Sequence, residues 1–203
     1  MSFIDNPKNF GLAAVVIGIV SILAGILAIV NGALADPMAT GSVVASIGTI
    51  LYGVLILGIG LPIYRGEETN AFSILGKFVN FVGLATIVVG IFAGAGLMVD
   101  DFITTGVVEI VVALIFGLIL MWIAKRITDG TADTFDKIIW IILVIVFLVL
   151  TIVSLIGIVT PFLSDMSAID MAITAVLSLC EFILYAFLLV AVLSNDVKSK
   201  MGM

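Results

Sequence analysis

Histidine is absent from this 203-residue chain, and cysteine occurs once, at Cys180. Haem ligation by histidine, a histidine-centred triad, a zinc site of histidine or clustered cysteine and an iron–sulfur cluster therefore lack their ligands. One cysteine also forbids an intrachain disulfide. There is no GxxxxGK[ST] and no GxGxxG after a strand, so the sequence offers no nucleotide site. Every aspartate falls at the edge of an apolar run or in a loop, which removes an intramembrane pair of catalytic aspartates. The expectation is a protein without catalytic, metal or cofactor-binding residues, and not an enzyme. Charge is scarce as well, at 11% of residues, against roughly 25% in soluble domains.

What fills the chain instead is hydrocarbon. Apolar residues make up 63% and the mean hydropathy is +1.43. A bilayer core needs about 20 apolar residues per helix. Six stretches meet that length, near 10–35, 42–64, 78–99, 102–124, 138–162 and 169–194. They are continuously apolar, whereas strands of a membrane barrel alternate between lipid and lumen. The predicted fold is all-α, a single polytopic bundle of six transmembrane helices. Its loops are too short for a further domain, including the stretches Gly66–Gly76 and Thr128–Asp136.

The eight basic residues, Lys8, Arg65, Lys77, Lys125, Arg126, Lys137, Lys198 and Lys200, all fall on the N-terminal side of the alternating runs. The opposite loops carry Asp36, Asp100, Asp101, Asp165 and Asp170 with no cation. Short basic loops stay cytoplasmic, so both termini are expected in the cytoplasm, in the plasma membrane. The net charge of −6 argues against nucleic acid as a partner. Ala33-Leu34-Ala35 matches a signal-peptidase pattern, yet its apolar run exceeds the roughly 7–15 residues of a signal core, and we read it as a retained helix.

Aligned with itself, the chain repeats. Gly11–Ile19 matches Gly83–Ile91 without a gap, and Leu51-Tyr52-Gly53 matches Ile115-Phe116-Gly117 in the register that pairs Val43-Val44-Ala45 with Val107-Val108-Glu109. A fainter third copy places Leu184-Tyr185-Ala186 at the same point. The pattern predicts three tandem helical hairpins inserted the same way. The first helix carries a stripe of small residues, Gly11, Ala14, Gly18, Ser21, Gly25, Ala28 and Gly32, and the third keeps Gly83, Gly90 and Gly94. Small residues let helices approach closely where lipid offers little hydrophobic gain. The stripe predicts a packed, central first helix, a homo-oligomer seam, or contact with another membrane subunit. The fifth helix has few small residues and is expected to face lipid or a partner.

Two ionisable residues lie inside the apolar runs, Glu109 and Glu181. Insertion scales assign roughly +2.5 to 3.5 kcal/mol to an acid such as Asp at a helix centre, so each must face the bundle, find partners or stay protonated. Glu109 lies about 12 Å and Glu181 about 16 Å from the acidic loops at 1.5 Å per residue. One reading is a proton or cation site. The other is hydrogen bonding across helices to Ser46, Thr49, Thr86, Thr151 or Tyr185.

The glycine-rich first helix and the intramembrane carboxylates resemble the proteolipid rotor subunits of rotary ATPases. The chain departs from that pattern because helix two has no carboxylate, Glu109 aligns with Ser178 rather than Glu181, and the loops point the opposite way. Three hairpins are also similar to mitochondrial carriers, but no P-x-[DE] follows helices one, three or five. No family is assigned. The sequence points first to a small structural or accessory subunit whose partners are the bilayer and other membrane subunits or copies of itself. The runner-up is a small proton- or cation-coupled transporter or channel using Glu109 and Glu181. A receptor-like role for the acidic loops has no residues in its favour.

Overall fold

A computed structural model describes residues 6–128 and 134–202. Residues 129–133 of the Thr128–Asp136 loop lie outside the described residues. The chain is all-helical there: α1 (Pro7–Leu34), α2 (Thr40–Arg65), α3 (Ala71–Val99), α4 (Ile103–Thr128), α5 (Thr134–Val159), a 3-10 turn (Thr160–Leu163), α6 (Ala168–Leu193) and a short α7 (Asn195–Lys200). Six of these helices are long and apolar enough to cross a membrane, as in a multi-pass membrane protein.

The helices begin where a side chain can take up free N–H groups. Asn6 accepts from the Lys8 N–H ahead of Pro7, whose missing donor costs nothing in the first turn. Asn70 accepts from the Phe72 and Ser73 N–H groups, and Ser167 from that of Asp170. Asn70 starts α3 seven residues before the apolar run expected at Phe78, because polar residues such as Ser73 and Lys77 extend a helix as readily as they end a hydrophobic stretch. Gly66 closes α2 in the left-handed region at φ +79°, where its N–H reaches the Ile63 carbonyl.

Close approaches set the direction of each pair. A Cβ on Gly18 would stand 2.8 Å from the Gly53 carbonyl oxygen, and one on Gly53 would stand 2.7 Å from the Gly18 oxygen, so α1 and α2 touch backbone to backbone. Gly11 meets Tyr64, Gly25 meets Ile50, and Gly32 meets Val43 along the same antiparallel seam. The α3–α4 seam repeats this, with Gly83 against Gly117, Gly90 against Ala113 and Gly94 against Gly106. Helix α2 turns a second glycine edge to α3, where Gly48 meets Val89 and Gly41 meets Gly96. Helix α5 packs on α6, tied by the Trp140 Nε1–H donating to the Val192 carbonyl at 2.9 Å.

The first helix is not central, contrary to what its stripe suggests. It packs on α2 and α6, while Leu12, Val16, Leu23 and Leu27 on its other side are exposed. The interior belongs to α3, which meets α2, α4, α6 and α7 and contributes Phe78, Val79, Phe81 and Val82 to the core. The core is densest toward the end that carries the basic residues, where Phe10 stacks edge-on to Phe78 at 4.5 Å and Phe187 at 5.5 Å. Lys198 and Lys200 lie over Trp140 and Phe72 at that same end. Helix α5 buries Ile139, Leu143 and Phe147 against this core and leaves most of its length exposed.

Candidate functional site

Helices α4 and α5 barely touch. They meet near the basic end, where Trp122 packs edge-on to Phe135 at 5.7 Å and Arg126 lies over the same ring. Farther along they diverge and leave a crevice with a cavity volume of about 320 Å³, bounded by α3, α4, α5 and α6 with Tyr52 from α2. Helical spacing decides what reaches it. Glu109, Val112, Ala113, Phe116 and Leu120 form one stripe of α4, and Glu181 and Tyr185 lie four apart on one face of α6. Val82, Ala85, Thr86, Val89 and Gly90 supply the floor from α3.

Both intramembrane glutamates thus contribute to the wall of a single crevice, although their depths in sequence differ. Glu109 is exposed at its rim and Glu181 is half-buried within. Neither carboxylate has a hydrogen-bond partner among the described residues. Of the five hydroxyls that the sequence offers to them, three are engaged within their own helices, and Thr49 does not line the crevice. Ser46, Thr86 and Thr151 each donate to the carbonyl four residues back in their own helix, at 2.7, 2.7 and 2.6 Å. Tyr185 does line the crevice beside Glu181. So does Tyr52, whose hydroxyl is buried with no partner among the described residues and whose ring lies 5.3 Å from that of Phe81. A buried, unsatisfied hydroxyl costs about 1–3 kcal/mol, which makes this one a place where a further polar group would be stabilised.

The crevice is confined to the middle of the bundle. Its lining stops at Gly90 of α3 and Glu109 of α4 toward the acidic end, and no loop residue contributes. Exposed Glu109, Val112 and Phe116 mark its mouth, which opens sideways between α4 and α5. Among the described residues no group of three or more histidine, cysteine, aspartate or glutamate side chains is placed to hold a metal.

The small-residue positions divide by partner. Gly11, Gly18, Gly25 and Gly32 face α2, and the Ala14 Cβ would stand 2.8 Å from a Cβ on Gly60. Ser21 is fully buried without a partner for its hydroxyl among the described residues, and Ala28 is half-buried. Gly83, Gly90 and Gly94 face α4. Two acidic-end aspartates act in ways that composition did not reveal. Asp100, at the end of α3, accepts from the Gly41 N–H at 3.1 Å and so caps α2, whose own cap position is Ala39. Asp170 accepts from the Asn31 side chain at 2.7 Å and from the Ser167 hydroxyl at 2.7 Å, tying α1 to α6. The complement of small polar and acidic residues at helix ends was the available signal for both.

Among the described residues these features define an all-α bundle with six helices able to span a bilayer and a lateral crevice lined by two glutamates. No protein-family model, curated protein or solved structure matches it.

Proposed function

We propose that this protein is a non-catalytic accessory subunit of a membrane complex, built as three tandem hairpins with both termini in the cytoplasm, in the plasma membrane. The observation that carries the reading is the α4–α5 crevice, which opens sideways and holds two carboxylates without partners among the described residues. Inside a bilayer such groups face the bundle or a partner, because lipid offers them nothing. Here they stand where a neighbouring membrane protein would lie. The clustering of all eight cations at one end supports the proposed orientation, and the antiparallel α1–α2, α3–α4 and α5–α6 pairs support the hairpin scheme.

Purification from the native membrane in mild detergent, at native expression, tests the assignment. A fixed stoichiometry with another membrane protein is expected. Recovery of the chain alone would remove the subunit role. The second reading, a proton or cation transporter, draws on the convergence of Glu109, Glu181, Tyr52 and Tyr185 on one cavity. Confinement of that cavity to mid-span counts against a through path. Cation flux in proteoliposomes of the purified chain, abolished by Glu181→Gln, would make the transporter the better account.

A further inference from the structure

The crevice has four properties that together specify its occupant. It presents two carboxylates, Glu109 and Glu181, that accept hydrogen bonds from nothing in the described chain. A buried Tyr52 hydroxyl beside them is likewise unpaired. Apart from Thr86 and Tyr185, the rest of its wall is apolar, formed by residues such as Val112, Ala113, Phe116 and Val146. Its mouth faces the side of the bundle rather than either end. Opposite charge inside a membrane is matched by opposite charge, since a cation and a carboxylate each cost less together than apart.

Resting on the subunit reading, we infer that the α4–α5 crevice seats a transmembrane helix of a different protein, which carries a lysine or arginine at mid-membrane depth that docks on Glu109 and Glu181. A long aliphatic stem suits the apolar wall, and its charged end reaches the carboxylates, as amphipathic side chains do at such boundaries. A second copy of this chain is the wrong occupant. All eight of its cations cluster toward one end of the bundle, and the deepest of them, Lys77, lies less than two turns into α3 and is paired with Glu68 of the preceding loop. A copy would bring more carboxylates to the crevice and no cation. A helix is favoured over a small cation because the faces flanking the mouth stay open along their length, with Val111, Ile115 and Leu118 on α4 and Ile145, Val149 and Ile152 on α5 all exposed.

The test is site-specific photo-cross-linking in the native membrane, with p-benzoylphenylalanine replacing Phe116 in the full chain, and Leu23 on the exposed side of α1 as the comparison position. The expected result is one heterologous adduct from position 116, mapped by mass spectrometry to an apolar segment that contains a lysine or arginine. Glu109→Gln with Glu181→Gln should lower its yield about tenfold or more, with the variant still monodisperse in detergent. If the double variant does not fold, the mapped segment in the otherwise unchanged chain decides alone. A segment without a basic residue, an adduct between copies, or adducts with lipid alone would each overturn the inference. A partner that co-purifies at fixed stoichiometry but cross-links only from position 23 leaves the subunit role standing and removes this docking site. Absence of any co-purifying partner removes the subunit role itself.

Discussion

Gly53 and Gly58 lie less than two turns apart in α2, yet the structure gives them opposite surroundings, and comparing them isolates the α1–α2 seam. A Cβ at position 53 would stand 2.7 Å from the Gly18 oxygen and 2.9 Å from the Ile22 nitrogen, both backbone atoms that no rotamer change can move. Carbon–oxygen contacts between helices settle at about 3.3–3.6 Å, so Gly53→Ala must part α1 from α2 by roughly 0.6–0.9 Å. Overpacking of that kind costs about 1–3 kcal/mol. A Cβ at position 58 would meet nothing within 4 Å. Both substitutions share the intrinsic gain of alanine over glycine in a helix, about 1 kcal/mol, and the same loss of freedom in the unfolded chain. Those terms cancel in the comparison, leaving Gly53→Ala about 1–3 kcal/mol less stable than Gly58→Ala. Reversible unfolding in mixed detergent–SDS micelles, followed by far-UV circular dichroism, measures the difference. Equal stability of the two variants would refute the backbone contact as a packing constraint.

Two further outcomes follow from the loops and helix ends. Asp100→Ala should release the Gly41 N–H and destabilise the start of α2 by about 0.5–2 kcal/mol, seen as faster hydrogen exchange at residues 40–43, whereas Asp100→Asn keeps an acceptor and most of the protection; unchanged exchange in the alanine variant would show that the cap is idle. Glu68 titrates below the ordinary glutamate range because Lys77 donates to its carboxylate. Since the folded value is the lower one, the small stabilisation from this exposed pair is present above the ordinary glutamate pKa and lost as pH falls through the depressed value. Carboxyl NMR should show the Glu68 titration moving up toward the ordinary range in Lys77→Ala, and no movement would mean that the pair does not persist in solution.

The six helices were legible because continuous apolar runs of bilayer length have few alternatives, and their ends differ from expectation chiefly where polar residues continue a helix, as at Asn70–Lys77. The stripe of α1 was legible as a close-packing surface but not as to its partner. Any helix can offer a backbone to a row of glycines, and only the folded bundle pairs Gly18 with Gly53. Glu109 and Glu181 were singled out by their cost in lipid. Their convergence was hidden, because depth along a helix says nothing about which neighbours diverge, and the crevice exists only because α4 and α5 separate beyond Trp122 and Phe135. In the sequence Tyr52 stands out only as part of a repeat. Its unpaired hydroxyl is a property of packing, visible once α2, α3 and α6 are assembled.

The α1–α2 seam has a pitch of seven residues, with Gly11, Gly18, Gly25 and Gly32 on one side and Ser46, Gly53 and Gly60 on the other. A zipper of this kind is degenerate: sliding one helix by a single repeat, about 10.5 Å at 1.5 Å per residue, again sets small side chains against small side chains. The contacts that make the pair tight therefore cannot choose among its registers. That choice falls to the few features that do not repeat, namely the short turn in which the Ala39 N–H donates to the Gly32 carbonyl, and the single carboxylate of Asp100 reaching Gly41 from the next helix. Alignment of the first two helices is thus written at one end of the bundle, in a handful of backbone and side-chain atoms, while the long glycine seam supplies adhesion without address.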